Sequence, residues 1–180
     1  MMKLTGEGSL SVKKRYAWVI ILLGSLLSAC GYKFTGGGNL PSGITSISIE
    51  MFKNRTAETG VETIITNDLI YEFTRHEQVV LTGSDKADAI LTGVVQSIGE
   101  RTISHRGEYT SNERRVILKL DLQLKDKSGG VIWSAKDVSD NEAYKVLPNK
   151  QATERNKKVA IQRLSKRLSE TIFNRLTADF

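Results

Sequence analysis

The residues best suited to bind an anion lie in one short segment, and four of them are arginines: Arg101, Arg106, Arg114 and Arg115. The segment also contains His105, and the strand patterns on both sides predict that it forms a β-hairpin. The planar guanidinium of arginine makes bidentate bonds to phosphate and carboxylate, so the cluster could bind a phosphorylated sugar. The alternative is that three glutamates neutralise the arginines as ordinary cross-strand pairs. These are Glu100, Glu108 and Glu113. The residues alone favour this alternative.

Cys30, the only cysteine, follows a short apolar run and the small pair Ser28-Ala29. Basic residues at 13–15 precede this run, a pattern typical of a secretory signal peptide. The run is also shorter than the ~20 residues needed to span a membrane as a helix. The arrangement resembles the bacterial lipobox, in which the thiol is alkylated with diacylglycerol, the signal is removed and the cysteine amine is acylated. We therefore predict lipidation at Cys30, the alternatives being a chance cysteine in a signal cut elsewhere or in an uncleaved anchor. Gly31, where an aspartate would favour inner-membrane retention, favours the outer membrane.

The chain is predicted to divide into a signal peptide over 1–29, a lipidated flexible tether over 30–43 and a single domain over 44–180. Removing the signal, which carries four basic residues and one acidic residue, lowers the formal net charge from +6 to +3. Export and this modest charge exclude nucleic acid as a partner. The glycines of the tether lack a following Gly-Lys-Ser/Thr, so a linker is favoured over a phosphate-binding loop.

Residues arranged for catalysis are nearly absent. The two histidines, His76 and His105, have no partner at metal-binding spacing, and no cysteine remains for a metal site. We predict that His76 is a solvated residue at a helix end, where the helix dipole favours it. Asp85 and Asp88 are predicted to serve a turn and a strand edge. The sequence therefore predicts no enzyme, no metal and no cofactor other than the acyl chains on Cys30.

Alternating apolar residues predict five strands, over 44–51, 78–81, 87–103, 116–124 and 131–142. In the first strand, Ile47, Ile49 and Met51 alternate with polar residues, as expected for a half-buried strand. The third strand has apolar residues on both sides, which predicts a position inside the sheet. The fourth alternates cleanly, so one face is covered and the other is wet, as in antiparallel sheets.

Two amphipathic helices complete the fold. The first begins at a predicted capping box of Thr59 and Glu62, and its apolar face comprises Val61, Ile64, Ile65, Leu69 and Phe73. The second covers 153–178, with an apolar stripe of Ile161, Leu164, Leu168, Ile172 and Leu176. Its basic residues are predicted to form the solvated side, and they are Lys157, Lys158, Arg163, Lys166, Arg167 and Arg175. The order β-α-β-β-β-β-α predicts an α+β two-layer sandwich, with both helices on one face of a roughly four-stranded mixed or antiparallel sheet.

Several segments, in this order, resemble the lipopolysaccharide-assembly lipoprotein family, LptE. They are Cys30-Gly-Tyr-Lys-Phe34, Leu40-Pro-Ser-Gly-Ile44, Phe52-Lys-Asn-Arg-Thr-Ala-Glu-Thr-Gly60, Ala87-Asp-Ala-Ile-Leu-Thr-Gly93, Gly130-Val-Ile-Trp133 and Arg175-Leu-Thr-Ala-Asp-Phe180. The resemblance covers essentially all of residues 30–180. It implies two helices packed on a four-stranded sheet, similar to the sandwich predicted from the pattern.

The same resemblance implies a function. Members of the family sit as a plug within the outer-membrane barrel protein LptD, and the two together insert lipopolysaccharide into the outer leaflet. Family members also bind lipopolysaccharide, with a basic position in the loop between two central strands. Arg106 is the nearest counterpart of that position, although the flanking residues diverge.

Two other functions remain open on the sequence. A periplasmic lipoprotein scaffold for another envelope complex would need the same anchor and no lipopolysaccharide contact. An envelope glycosidase would use Glu100 or Glu113 as one of two carboxylates placed around a cleft. The sequence offers no obvious cleft for a glycosidase.

Overall fold

The computed structural model describes Leu40 and residues 43–76, 79–103 and 113–178. Its strands are β1 (Ser46–Ile49), β2 (Lys53–Asn54), β3 (Val80–Leu81), β4 (Ala89–Ile103), β5 (Glu113–Asp126) and β6 (Val131–Lys145). Its helices are α1 (Val61–Arg75), between β2 and β3, and α2 (Lys150–Ala178), after β6. The predicted order of elements is confirmed, with the two-residue β2 as an addition.

The strands form one mixed sheet in the order β3-β1-β4-β5-β6, and β2 pairs with β4 beside β1. β1 pairs with β3 in parallel, and both β1 and β2 pair in parallel with β4. The pairs β4–β5 and β5–β6 are antiparallel. The predicted interior position of β4 is confirmed. Three long strands and three short ones make a six-stranded sheet in the described residues, whereas the pattern predicted five strands and a roughly four-stranded sheet.

Both helices supply their apolar stripes to one core. All five predicted stripe residues of α2 are buried, as are Val61, Ile65, Leu69 and Phe73 of α1. They cover the inward residues of β5, which are Val116, Leu118, Leu120, Leu122 and Leu124. Between the helices, the rings of Phe73 and Phe173 meet edge to face with centroids 5.0 Å apart. The α+β two-layer sandwich is therefore confirmed, and the other sheet face carries exposed polar residues such as Lys119 and Gln123.

The predicted capping box of α1 is wrong. The N-cap is Gly60, in the left-handed region at φ 86°, and no side chain caps the helix. The Glu62 carboxylate instead accepts a bond of 2.7 Å from the side-chain amide of Asn54. Because Asn54 also bonds to the Glu58 carbonyl, it orders the loop before the helix and takes the carboxylate that a capping box would use.

The first strand is shorter than predicted, because pairing ends at Ile49. Met51, predicted to continue the inward face, is 58% exposed, and this part of the prediction is wrong. Phe52 is buried in its place. Its ring lies against Gly93 of β4, where an added Cβ would stand 2.2 Å from a ring carbon. A glycine is therefore required in the middle of β4.

The chain ahead of β1 also contributes to the core, since Leu40 is buried with it. From there the sheet extends a long way, because β4 has 15 residues and a strand rises ~3.3 Å per residue. Ile103 therefore lies about 45 Å along the strand from Ala89, which pairs with β1. In the described ranges, none of the helices is both long enough and apolar enough to cross a membrane.

Candidate functional site

The arms of the β4–β5 hairpin position three of the four predicted arginines. The register pairs Arg101 with Arg115 and Thr102 with Arg114. Side chains of directly paired residues share a face and neighbours along a strand alternate, so the buried Val116 assigns the faces. Arg114 lies on the helix-covered face, whereas Arg101 and Arg115 lie side by side on the open face. Arg106 and His105 fall outside the described residues, as do Glu108 and Cys30.

The pair on the open face, Arg101 and Arg115, is exposed. No carboxylate of residues 43–76, 79–103 or 113–178 comes within ion-pair distance of either guanidinium. Like charges directly opposite each other in a sheet destabilise it by about 0.2–1 kcal/mol. Two convergent guanidinium groups can also share one anion bidentately. Among the described residues, the geometry therefore presents a dication with no carboxylate within ion-pair distance, near the described ends of β4 and β5.

Arg114 has a different environment, centred on Glu100. Its guanidinium lies 3.6 Å from Oε2 of Glu100, which also accepts a bond of 2.7 Å from the Tyr144 hydroxyl. The other oxygen, Oε1, lies 2.9 Å from Nζ of Lys157 in α2. Lys157 also contacts Glu58, with 2.7 Å between Nζ and Oε2. These five residues, Glu58, Glu100, Arg114, Tyr144 and Lys157, are called the Glu100 network below.

The electrostatics of the Glu100 network favour the charged forms of Glu100 and Lys157 and the neutral form of Tyr144. The bonds from Lys157 and Tyr144 hold the pKa of Glu100 below its usual range, although burial opposes them. Burial disfavours the charged form of Lys157, but its bonds to Glu58 and Glu100 outweigh this and raise its pKa. Burial and the bond to Glu100 raise the pKa of Tyr144. The predicted neutralisation by cross-strand pairing is therefore present for Glu100, where it is shared among several donors.

The predicted solvated face of α2 is only partly solvated. Arg167 binds the carboxylates of Asp140 and Glu142, each at 2.8 Å, and Arg163 lies 3.5 Å from Glu142. Together with Lys157, these residues make up half of the predicted basic face. They form ion pairs with carboxylates of β4, of β6 and of the loop before α1. No local pattern predicts these contacts, because the acidic partners lie on the edge strand β6 or far away in the chain. Lys158, Lys166 and Arg175 are exposed, as predicted.

His76 lies at the end of α1 as predicted, but it is only partly solvated, with 34% of its side chain exposed. Its ring stacks on Phe173 with centroids 4.1 Å apart, and Nε2 lies 3.0 Å from Oε1 of the buried Glu72. Arg75 contacts the same oxygen at 2.6 Å. The end of α1 packs on α2, and an imidazole face can cover an aromatic ring while its nitrogen meets a carboxylate. His76 is therefore a packing residue.

Asp88 and Asp85 lie at the strand edge and in the turn where the sequence placed them. Asp88 accepts bonds from the backbone and hydroxyl groups of Thr45 and Ser46 and lies 3.1 Å from Lys127. These bonds, that of the Ser46 hydroxyl first, hold the pKa of Asp88 well below its usual range. Its predicted role at a strand edge is confirmed, and Asp85 lies exposed in the preceding turn.

Glu100 and Glu113, each considered as one carboxylate of a glycosidase, do not form a pair with each other. Glu100 is paired with Val116 on the helix-covered face, whereas Glu113 is paired with Ile103 and lies on the open face. Two carboxylates on opposite faces of one sheet cannot flank a single glycosidic bond. No group of three or more His, Cys, Asp or Glu residues suited to a metal ion occurs in the part of the chain that the structure describes.

Comparisons with known proteins agree with the fold. The uncharacterized lipoprotein B from Nitrosomonas europaea is similar, with a TM-score of 0.57 and 16% identity, covering 82% of this chain and 91% of that one. A minor lipoprotein from Acinetobacter baumannii has a TM-score of 0.54 and 18% identity, covering 77% and 95%. At these identities the likeness shows the fold alone. No curated protein sequence matches. The family model described as LptE, lipopolysaccharide-assembly, matches residues 44–176, and this chain therefore belongs to the LptE lipopolysaccharide-assembly family.

Proposed function

We propose that this chain is an outer-membrane lipoprotein that acts as the plug and assembly partner of the barrel protein LptD, and that the two insert lipopolysaccharide into the outer leaflet. Membership of the LptE family over residues 44–176 supports the assembly role. The observation that carries the ligand is the Arg101–Arg115 dication at the end of the hairpin. The protein acts by binding, with no catalytic step of its own.

The ligand chemistry follows from the charge of lipopolysaccharide. Its lipid A phosphates are anionic, and neighbouring molecules are held together by divalent ions. Guanidinium groups bind phosphate through two parallel hydrogen bonds. Arg101 and Arg115, with Arg114 and Arg106 beside them in the chain, would compete with the divalent ions and separate single molecules for insertion.

The lipid anchor and the length of β4 both bear on where the arginine pair lies. Diacylglycerol and an N-acyl chain on Cys30 would hold the domain at the membrane, since each buried CH₂ contributes ~0.8 kcal/mol. The arginine pair lies about 40 Å along β4 from Ala89, at the far end from β1. The tether precedes β1 in the chain and would supply the reach between Cys30 and the domain.

The open face of the sheet supports the plug role. It carries exposed polar residues, among them Ser97, Lys119, Gln123, Ser139 and Asn141. The interior of a large outer-membrane barrel is polar as well. A sheet with one helix-covered face and one hydrated face can therefore lie in such a lumen without exposing a large apolar surface to water.

A charge-reversal pair tests the ligand site. Arg101→Glu with Arg115→Glu should weaken binding of purified lipopolysaccharide by at least tenfold, which corresponds to about 1.4 kcal/mol. Lys119→Glu with Lys136→Glu makes the same change of charge elsewhere on exposed strand residues and should leave binding within about twofold. Unchanged binding by the first variant would contradict the site.

A separate experiment tests the assembly role. Depletion of the protein should reduce lipopolysaccharide at the cell surface, and affinity purification from solubilised envelopes should recover LptD. Normal surface levels would contradict the role. Recovery with periplasmic or peptidoglycan components alone would identify the chain as a scaffold for another complex.

A further inference from the structure

Glu100 has three cationic or hydroxyl partners, and it binds them at unequal distances. Its Oε1 is taken by Lys157 at 2.9 Å, and its Oε2 accepts the Tyr144 hydroxyl at 2.7 Å. Arg114 approaches only to 3.6 Å of the same Oε2. Charge-assisted N–H···O bonds are normally 2.7–2.9 Å long. Arg114 is therefore the loosest partner of Glu100, and its side chain remains 46% exposed.

Lys157 is the tightly held member of the network. Its side chain is 14% exposed and its ammonium lies between Glu58 and Glu100. It belongs to α2, whereas Arg114 belongs to the hairpin, so the helix supplies most of the charge that compensates Glu100. Without this ammonium, Glu100 would keep one uncompensated oxygen within reach of the Arg114 guanidinium.

We propose that Lys157 is a positioning residue that sets the affinity of the hairpin for phosphate-bearing lipid, an inference that rests on the proposed function. By binding Glu100, Lys157 weakens the hold of that carboxylate on Arg114. Arg114 on the helix-covered face can then bind one phosphate of the lipid while Arg101 and Arg115 bind another on the open face. Glu100 is then an internal competitor of the ligand for Arg114. The basic helix thereby controls the charge that the hairpin presents, without touching the ligand.

Removing the Glu100 carboxylate and removing the Lys157 ammonium should have opposite effects on lipopolysaccharide binding. Glu100→Gln keeps an oxygen for the Tyr144 hydroxyl and frees Arg114, so lipopolysaccharide binding should tighten on the order of threefold. Lys157→Met turns Glu100 toward Arg114 and should weaken binding on the order of tenfold. Tightening on Glu100→Gln tests the competition for Arg114, whereas a lysine with only a structural role would weaken binding equally with and without the Glu100 carboxylate.

The double variant provides the decisive comparison. In the Glu100→Gln background, Lys157→Met should no longer weaken binding, because the carboxylate that it controls is gone. In an Arg114→Gln background, Glu100→Gln should no longer tighten binding. Affinities are measured for purified lipopolysaccharide and for the same material with its phosphates removed, which should bind all variants alike. Circular dichroism and thermal unfolding check that each variant is folded.

The outcomes separate this inference from the proposed function. A lysine effect that persists in the Glu100→Gln background overturns the inference, as does Glu100→Gln binding no tighter than the parent chain. The Glu100→Gln measurement can be applied even where Lys157→Met does not fold. Wild-type protein that does not bind phosphorylated lipopolysaccharide overturns the proposed function instead.

Discussion

Arg101 of β4 and Arg115 of β5 are directly paired across the hairpin, on the open face and without an acidic partner among the described residues. The relationship depends on the register of the two strands, which shifts between Val95 and Ser97. Such a pair opposes folding and favours an anion, so the same two residues should have opposite effects on stability and on ligand binding.

Arg115→Gln is therefore expected to stabilise the ligand-free protein. Removing one of two opposed like charges should raise the free energy of unfolding by about 0.2–1 kcal/mol at low salt, and salt should reduce the gain. Urea unfolding at two ionic strengths measures it. Lys119→Gln, on the same strand and face, is the control and should change stability less. A destabilised Arg115→Gln would show that the guanidinium has a favourable partner.

Gly93→Ala is expected to destabilise the fold. The added methyl would stand 2.2 Å from the ring of Phe52, and both residues are buried. Overpacking of this kind costs about 1–3 kcal/mol in the free energy of unfolding. Gly99→Ala on the same strand meets nothing within 4 Å and serves as the control. Phe52→Leu should recover part of the loss in the Gly93→Ala background, and a loss of equal size at both glycines would contradict the contact.

The elements were predictable wherever one strong period governs them. The stripe of α2 and the alternation of β5 each bury a continuous set of residues, so the pattern alone determines their structure. The pattern is weaker where the chain turns. Phe52 replaces Met51 in the core because a glycine far along the chain leaves space for its ring, and no local period reports such a contact.

The candidate site was predictable in composition and not in geometry. Arginine clustering identified the hairpin, but the opposition of Arg101 and Arg115 follows from a register that a bulge resets. Lys157 lies 57 positions after Glu100 in the chain, and on the sequence it looks like one more cation on a solvated helix face. Long-range ion pairs of this kind depend on how helix and sheet pack.

Asp88→Asn is expected to change how stability depends on pH. The folded protein holds the pKa of Asp88 below its usual range, chiefly through the Ser46 hydroxyl and Lys127. The unfolded state therefore takes up the proton first, and the stabilisation, present above the unfolded pKa of about 3.9, is lost as the pH falls below it.

Asp88→Asn should lower stability at neutral pH and flatten the acid dependence. Unfolding from pH 7 to pH 3 measures this, with Asp85→Asn, exposed in the same turn, as the control. An unchanged acid profile would contradict the assignment.

The free edge of β6 is protected by α2. The Arg167 guanidinium donates to the Asn141 carbonyl at 2.8 Å, and the Asn156 amide donates to the Lys145 carbonyl at 2.9 Å. These carbonyls lie in the regular part of a terminal strand, where unpaired groups invite another strand. The first part of β6 is protected differently, since the pairing shifts there and Asp137 adopts φ 52°.

Arg167→Ala with Asn156→Ala should therefore promote association of the domain through β6. The loss of the partly exposed Arg167 contacts should cost only about 1 kcal/mol of stability, so the protein stays folded and its carbonyls become available. Light scattering after size exclusion, over a range of concentrations, should show dimers or larger species. Lys158→Ala with Lys166→Ala removes two exposed cations of the same helix and should leave the monomer unchanged. If the first variant remains as monomeric as the parent chain, the two side chains do not protect the edge, and the bulge near Asp137 is sufficient.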